Sequence, residues 1–198
     1  MKWYKYDIRD LCEDEYAKWY SMMGAEKRQR VDRFRFIEDK KRTVAGEMLA
    51  RKAIAEWCEV TPESIRFSIG EHGKPFVKDL DIEFNISHSG DMVVCAVDDN
   101  PVGIDIEQVR PIDLTIAKRF CTDEEMLYVF GYTPTEKDFT YTTNEGILIR
   151  FFKIWTDKEA CGKYLGCGLI QNQQQILKAC KKTFVVDNYC ICIITNAC

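Results

Sequence analysis

Apolar and polar positions alternate from residue 2 to residue 8, which predicts an opening strand. From Asp39 to Glu59 the period changes: Val44, Met48, Leu49, Ala53 and Trp57 recur at helical spacing, with Arg42 and Thr43 near the start of that helix. Three strand-like runs follow, Ser64 to Ile69, Ile82 to Ser87 and Met92 to Val97, the last two separated by the turn formers Ser89-Gly90-Asp91. Asp98-Asp99-Asn100-Pro101 is the best internal boundary, because four turn formers in a row interrupt two apolar runs. Beyond it the pattern predicts a strand over Val102 to Glu107, helices around Leu114 to Phe130, and a long helix from about Asn144 to Tyr164. Strands near Thr183 to Val186 and Cys190 to Thr195 close the chain. Both halves mix a sheet with helices, so the expected class is α+β, with two similar lobes over residues 1–100 and 101–198.

Composition narrows the picture. With 198 residues and 46% hydrophobic content, the chain can bury a sizeable core without covalent staples, since chains of ~150 residues already bury ~70% of their unfolded surface. The net charge of -4 gives no overall pull toward nucleic acid or an anionic membrane, so anion binding requires a local basic cluster. The first residues carry no apolar signal region, and the longest apolar stretch, Met92 to Val97, is far too short to span a bilayer; a cytoplasmic location is the expectation. In that setting the ten cysteines are expected to be reduced and mostly buried as small hydrophobes. Only His72 and His88 are available, which argues against a His-rich metal site.

Within Val102-Gly103-Ile104-Asp105-Ile106-Glu107 the period of two turns the apolar residues to one side and both carboxylates to the other. Two charges roughly 7 Å apart repel by about 2 kcal/mol at an effective dielectric of ~20. A shared divalent cation would reverse that cost; solvent on an exposed strand face would screen it. Phe151, Trp155, Glu159 and Lys163 follow at i+4, so a carboxylate and an amine continue the stripe that two aromatics use to face the core. That is either a polar cleft or an ordinary surface Glu-Lys pair. Asn85-Ile86-Ser87-His88-Ser89 ends a strand with several donors, among which His88 could meet a phosphate oxygen, although a strand-end histidine is more often structural. Gly73-Lys74-Pro75 permits close backbone approach to a planar ligand or is a simple turn. The segment Glu26 to Arg33 is basic and helical, with Lys27 and Arg30 on one face and Lys40, Lys41 and Arg42 following; it could hold a phosphate or be a solvated face.

Read in order, Gly73-Lys74-Pro75, Asn85-Ile86-Ser87-His88-Ser89, Val102 to Glu107, and Trp155-Thr156-Asp157-Lys158-Glu159-Ala160-Cys161-Gly162-Lys163 resemble the motif series of Sfp-type 4′-phosphopantetheinyl transferases. The likeness takes in Arg42-Thr43, Gly46-Glu47 and Ile116 to Phe120, covering roughly residues 26 to 169. The sequence departs from the family's pattern at Arg30, where a lysine is usual, and at His72, where a tyrosine is usual.

The resemblance implies a pseudo-twofold pair of α+β lobes with coenzyme A in the cleft between them. It implies a Mg²⁺ ion on Asp105, Glu107 and Glu159, for which all-oxygen ligation is suited. It implies that Lys163 and His88, beside Ser87, contact the pyrophosphate, that Lys27, Arg30 and Thr43 hold the 3′-phosphate, and that the Gly73, Lys74 and Pro75 backbone meets the adenine. The implied reaction is attack by a serine of an apo acyl or peptidyl carrier protein on the β-phosphate of coenzyme A, expelling adenosine 3′,5′-bisphosphate, with Glu159 a candidate base. A monomer would suffice, and neither nucleic acid nor membrane is an expected partner. Two other classes stay open: a coenzyme A or nucleotide binding module without turnover, and a metal-dependent phosphohydrolase. The carrier, from fatty-acid, polyketide or nonribosomal peptide synthesis, is not specified. The segment Pro111 to Phe130 is a candidate docking surface, through Leu114, Ile116, Ala117 and Phe120 with Lys118 and Arg119 at the rim; alternatively its apolar residues pack inward.

Overall fold

The computed structural model describes residues 1–70, 73–166 and 179–196. The first half runs β1 (Lys2–Asp7), α1 (Glu13–Met22), α2 (Ala25–Asp32), α3 (Ile37–Cys58), β2 (Phe67–Ile69), β3 (Pro75–Val77), β4 (Glu83–Ser89) and β5 (Met92–Asp98). The second half runs β6 (Val102–Gln108), β7 (Ile112–Asp113), α4 (Ala117–Phe120), α5 (Asp123–Phe130), β8 (Tyr141–Thr142), α6 (Glu145–Leu165), β9 (Cys180–Val186) and β10 (Tyr189–Thr195). Two three-stranded antiparallel sheets result, ordered β1-β5-β4 and β6-β10-β9, and the chain passes from one to the other between Asp98 and Val102. The mixture of helices and antiparallel sheets is the α+β class that the residue pattern predicts.

The unbroken apolar run of β5 has a structural cause. Val93, Cys95 and Val97 pack with Val44, Met48 and Ile54 of α3. Val94 and Ala96 point the other way, against Ile104, Ile106, Ile191 and Ile193 of the second sheet. A strand buried on both faces has no reason to alternate. Each fully buried aliphatic side chain in these layers contributes about 1.5 to 3 kcal/mol.

The long helix α6 starts where the Asn144 side chain accepts from the Ile147 amide and stops at Gly166, whose φ of 69° few other residues tolerate. Its Leu148, Phe151 and Phe152 join Leu114, Ala117, Val129 and Phe130 in a second core. The helices expected around Leu114 to Phe130 are α4 and α5, separated where Thr122 caps the second through a reciprocal box with Glu125. The strand expected from Ser64 begins only at Phe67, after a helical turn at Pro62–Ser64. Cys95, Cys161, Cys190 and Cys192 are buried thiols, as expected, whereas Cys180 is disulfide-bonded, a departure from a fully reduced set. Among the described residues no helix is long and apolar enough to cross a membrane.

Candidate functional site

The two sheets meet along β4 and β6 through side chains. Asn85, Ser87 and Ser89 occupy alternate positions of β4, so all three turn the same way. Asn85 Oδ1 accepts from the Ile104 amide at 2.9 Å, Ser87 Oγ donates to Asp105 Oδ1 at 2.7 Å, and Ser89 Oγ donates to Glu107 Oε2 at 2.7 Å. Behind β6 lies α6. A Cβ on Gly103 would come within 2.7 Å of the Tyr164 amide nitrogen and closer still to the Ala160 carbonyl oxygen, so only glycine allows the strand to press against the helix backbone. That approach brings Asp105 to Lys163, whose ammonium lies 2.6 Å from Asp105 Oδ1 and 2.8 Å from Ser87 Oγ.

Three hollows adjoin one another here. One of about 300 Å³ is lined by Ser87, His88, Asp105, Glu107, Trp155, Glu159 and Lys163. A second, about 240 Å³, shares Glu159 and Lys163 with the first and adds Gly73, Lys74, Pro75 and Asn85. A third, about 460 Å³, shares Pro75 with the second and reaches Lys27, Glu47 and Arg51. The structure thus gathers Gly73, Lys74, Pro75, Ser87, His88, Asp105, Glu107, Glu159 and Lys163 in the walls of two hollows that share Glu159 and Lys163, with Lys27 in the wall of a third that shares Pro75. It does not draw Arg30 and Thr43 into those walls: Arg30 is exposed on α2, and the Thr43 hydroxyl donates to the Asp39 carbonyl at 2.9 Å. His72 lies outside the described residues.

Residues 10–100 match the family model described as 4′-phosphopantetheinyl transferase, N-terminal, and residues 101–187 match that of the 4′-phosphopantetheinyl transferase superfamily. The chain is 40% identical over 165 residues to 4′-phosphopantetheinyl transferase Sfp of Bacillus subtilis, covering 83% of this chain and 69% of that protein. The chain belongs to the 4′-phosphopantetheinyl transferase superfamily. It is also 44% identical over 145 residues to 4′-phosphopantetheinyl transferase psf-1 of Bacillus pumilus, covering 73% of this chain and 58% of that one. With 4′-phosphopantetheinyl transferase gsp of Aneurinibacillus migulanus, the identity is 38% over 149 residues, 75% of this chain and 58% of the relative. The chain thus spans somewhat more than half the length of these curated relatives. Kinship with such proteins supports assignment as a transferase.

Electrostatics mark the same place in this chain. Burial pushes the Asp105 carboxyl up, against the opposing pull of Lys163 and Ser87. Glu107 is raised by burial and by the Asp105 charge, with Ser89 opposing. Glu159 is raised by burial, then by Asp105, then after the pull of Lys163 by Glu107. Three carboxylates that repel one another in a partly dry hollow lack positive charge, and Lys163 supplies only part of it. Among the described residues Asp105 Oδ2 is buried with no hydrogen-bond partner, an acceptor that a cation would satisfy. The oxygen-only donor set fits Mg²⁺. Among the described residues no group of three or more His, Cys, Asp or Glu already stands in metal-holding geometry, consistent with the Lys163 ammonium and the Ser89 hydroxyl occupying part of the carboxylate surface. His88 is depressed by surrounding protein, then by the positive Arg42 and Lys163.

Sequence reasoning did not assign roles to Ser89, Asn85 and Glu47. Ser89 was findable, since it stands two residues beyond Ser87 on the same strand face. Glu47 stands at i+4 spacing to Arg51 on α3, but its contact with Lys27 comes from packing of separate helices, which no local spacing records.

Proposed function

We propose that the protein transfers the 4′-phosphopantetheine arm of coenzyme A to a serine of an apo acyl or peptidyl carrier protein, with Mg²⁺, releasing adenosine 3′,5′-bisphosphate. The observation that carries this reading is the convergence of Asp105, Glu107, Glu159 and Lys163 on one hollow, which shares Glu159 and Lys163 with a second hollow at the Gly73–Pro75 turn. In the reaction the serine Oγ forms a bond to the β-phosphorus, and the bond from that phosphorus to the bridging oxygen breaks. The serine proton leaves to a base, and the bisphosphate departs with the bridging oxygen.

Asp105, Glu107 and Glu159 would hold the metal, which when bound neutralises charge on the pyrophosphate. The Lys163 ammonium is placed to hold a pyrophosphate oxygen once it exchanges Asp105 for the substrate, and His88 stands at the same wall beside Ser87. Such phosphate contacts are charge-assisted and strong. Glu159, with its pKa raised, is suited to take the serine proton directly or through water. Lys27, with Arg30 of α2 and Thr43 of α3 drawn in on binding, would meet the 3′-phosphate, and the Gly73, Lys74 and Pro75 backbone the adenine. Two lobes, residues 1–100 and 101–198, would close on the substrate along β4 and β6, and a cytoplasmic monomer would suffice.

For the carrier we retain the Pro111 to Phe130 segment with a different set of contacts. Leu114 and Ala117 are buried in the core, and Phe120 stacks edge-on to Trp155. Lys118 pairs with Glu136 at 2.5 Å, while Leu127 and Tyr128 of α5 are half exposed. Apolar contact would therefore come from α5 instead of the preceding turn.

The decisive experiment is intact-mass analysis of a panel of apo carrier proteins incubated with the protein, coenzyme A and Mg²⁺. A carrier gaining one phosphopantetheine supports transfer. Hydrolysis of coenzyme A without carrier would indicate a phosphohydrolase, and binding with neither product would indicate a binding module.

A further inference from the structure

Glu47 lies on α3 with only 3% of its surface exposed, yet it faces two cations. Its Oε1 accepts from Arg51 Nε at 3.0 Å and from Arg51 Nη2 at 2.7 Å. Its Oε2 stands 2.9 Å from the Lys27 ammonium on α2. Arg51 is itself fixed, donating to the carbonyls of Pro62, Ile65 and Met22 at 3.0, 2.8 and 3.2 Å, with its guanidinium 5.0 Å from the Phe67 ring. Both Arg51 bonds end on Oε1, so the buried Oε2 takes its charge-assisted contact from Lys27 on the neighbouring helix. That mutual need fixes where the Lys27 ammonium stands.

We infer that Glu47 is a positioning residue for phosphate recognition: it holds the Lys27 ammonium at the wall of the 460 Å³ hollow, ready for the 3′-phosphate of coenzyme A. The inference rests on the reading of Lys27 proposed above. A lysine is a point charge on a flexible four-carbon stem with three donors. One donor on Glu47 leaves two for phosphate oxygens, and the Lys27 side chain keeps 37% of its surface exposed, so its head is reachable. Fixing it beforehand removes the loss of rotamer freedom that a free lysine would suffer on binding. Together Lys27, Glu47 and Arg51 carry one net positive charge, so the trio still attracts an anion.

The test is a comparison of KM and kcat for coenzyme A and for dephospho-coenzyme A in the wild type, Glu47→Asp, Lys27→Met and the double variant. Aspartate keeps the charge beside Arg51 but is one methylene too short to reach Lys27. The expected result is a KM for coenzyme A raised roughly tenfold, equivalent to about 1.4 kcal/mol, with kcat held and with the KM for dephospho-coenzyme A unmoved. Lys27→Met should do the same, and the double variant should be no worse than either single one, because the two residues act as one unit. A wild type that prefers coenzyme A while Glu47→Asp keeps the full preference overturns the role of Glu47 alone. A wild type with no preference overturns the 3′-phosphate reading of Lys27. Should Glu47→Asp fail to fold, Glu47→Gln keeps the shape and is judged by the same two comparisons, with adenosine 3′,5′-bisphosphate titrated calorimetrically as a readout independent of turnover.

Discussion

Lys163 Nζ lies 2.6 Å from Asp105 Oδ1, while Oδ2 of the same carboxylate is buried with no hydrogen-bond partner among the described residues. One oxygen of the group is neutralised from α6 and the other is the one the proposed metal would meet. The asymmetry has consequences for both activity and stability.

Asp105→Asn should abolish transfer, by at least about 100-fold, while leaving the fold intact, since the amide still offers Ser87 an acceptor. Glu107→Gln should likewise lose activity, yet raise the stability of the metal-free protein by about 1 kcal/mol, because it removes a repulsion between raised carboxylates. Activity assays beside thermal melts check both. Normal turnover by Asp105→Asn would remove the proposed metal site.

Gly103→Ala places a methyl group 2.7 Å from the Tyr164 amide nitrogen and closer still to the Ala160 carbonyl oxygen. Backbone cannot yield as a side chain can, so the strand must shift off α6. The expected cost is about 3 kcal/mol or more, at the upper end of overpacking effects. Activity should fall beyond what lost stability explains, because Asp105 moves with the strand. A Gly103→Ala protein with wild-type melting temperature and rate would show that β6 and α6 need not touch here.

Asp98 ends β5 and accepts from the Thr195 hydroxyl of β10 at 2.6 Å, joining the first sheet to the second. Burial raises its carboxyl, but the Thr195 hydroxyl and the Asn100 amide outweigh it and leave the pKa depressed. A depressed carboxylate stabilises the fold above its unfolded pKa of about 3.9, and that stability is lost as pH falls through the folded value. Asp98→Asn should therefore lower stability at pH 7 by about 1 to 3 kcal/mol. The gap from wild type should narrow steadily below about pH 4. Denaturant melts across pH 2 to 8 check the sign; a gap that widens in acid would contradict it.

Leu127 is 50% exposed on α5, beside a hollow lined by Asp123, Glu124 and Phe139. If the carrier docks there, Leu127→Asp should raise the KM for the carrier several-fold and leave the KM for coenzyme A unchanged, since it removes an apolar anchor and adds a charge at an acidic surface. Stability should move by less than about 0.5 kcal/mol, as for most surface changes. Steady-state kinetics with each substrate varied separates the two constants, and an unmoved carrier KM would place docking elsewhere.

Much of the site was legible in the residue pattern. The i+4 stripe Phe151, Trp155, Glu159 and Lys163 and the period-two face holding Asp105 and Glu107 follow from local geometry, because 3.6-residue and two-residue repeats fix which side chains share a face. The ordered motifs carried the family. Local periodicity says nothing of which faces meet: the Lys163 ammonium contacts Ser87 across 76 positions of chain, and Glu47 reaches Lys27 only because α2 and α3 pack together. Leu114 and Ala117 likewise read as possible surface contacts until the second core enclosed them. The sequence alone determined the elements, their apolar faces and the chemistry available on each. Only the tertiary structure decided which carboxylates share a hollow, which hydroxyls hold them and which lysine is held by Glu47, because long-range packing is a property of whole surfaces meeting and leaves no mark at any one position.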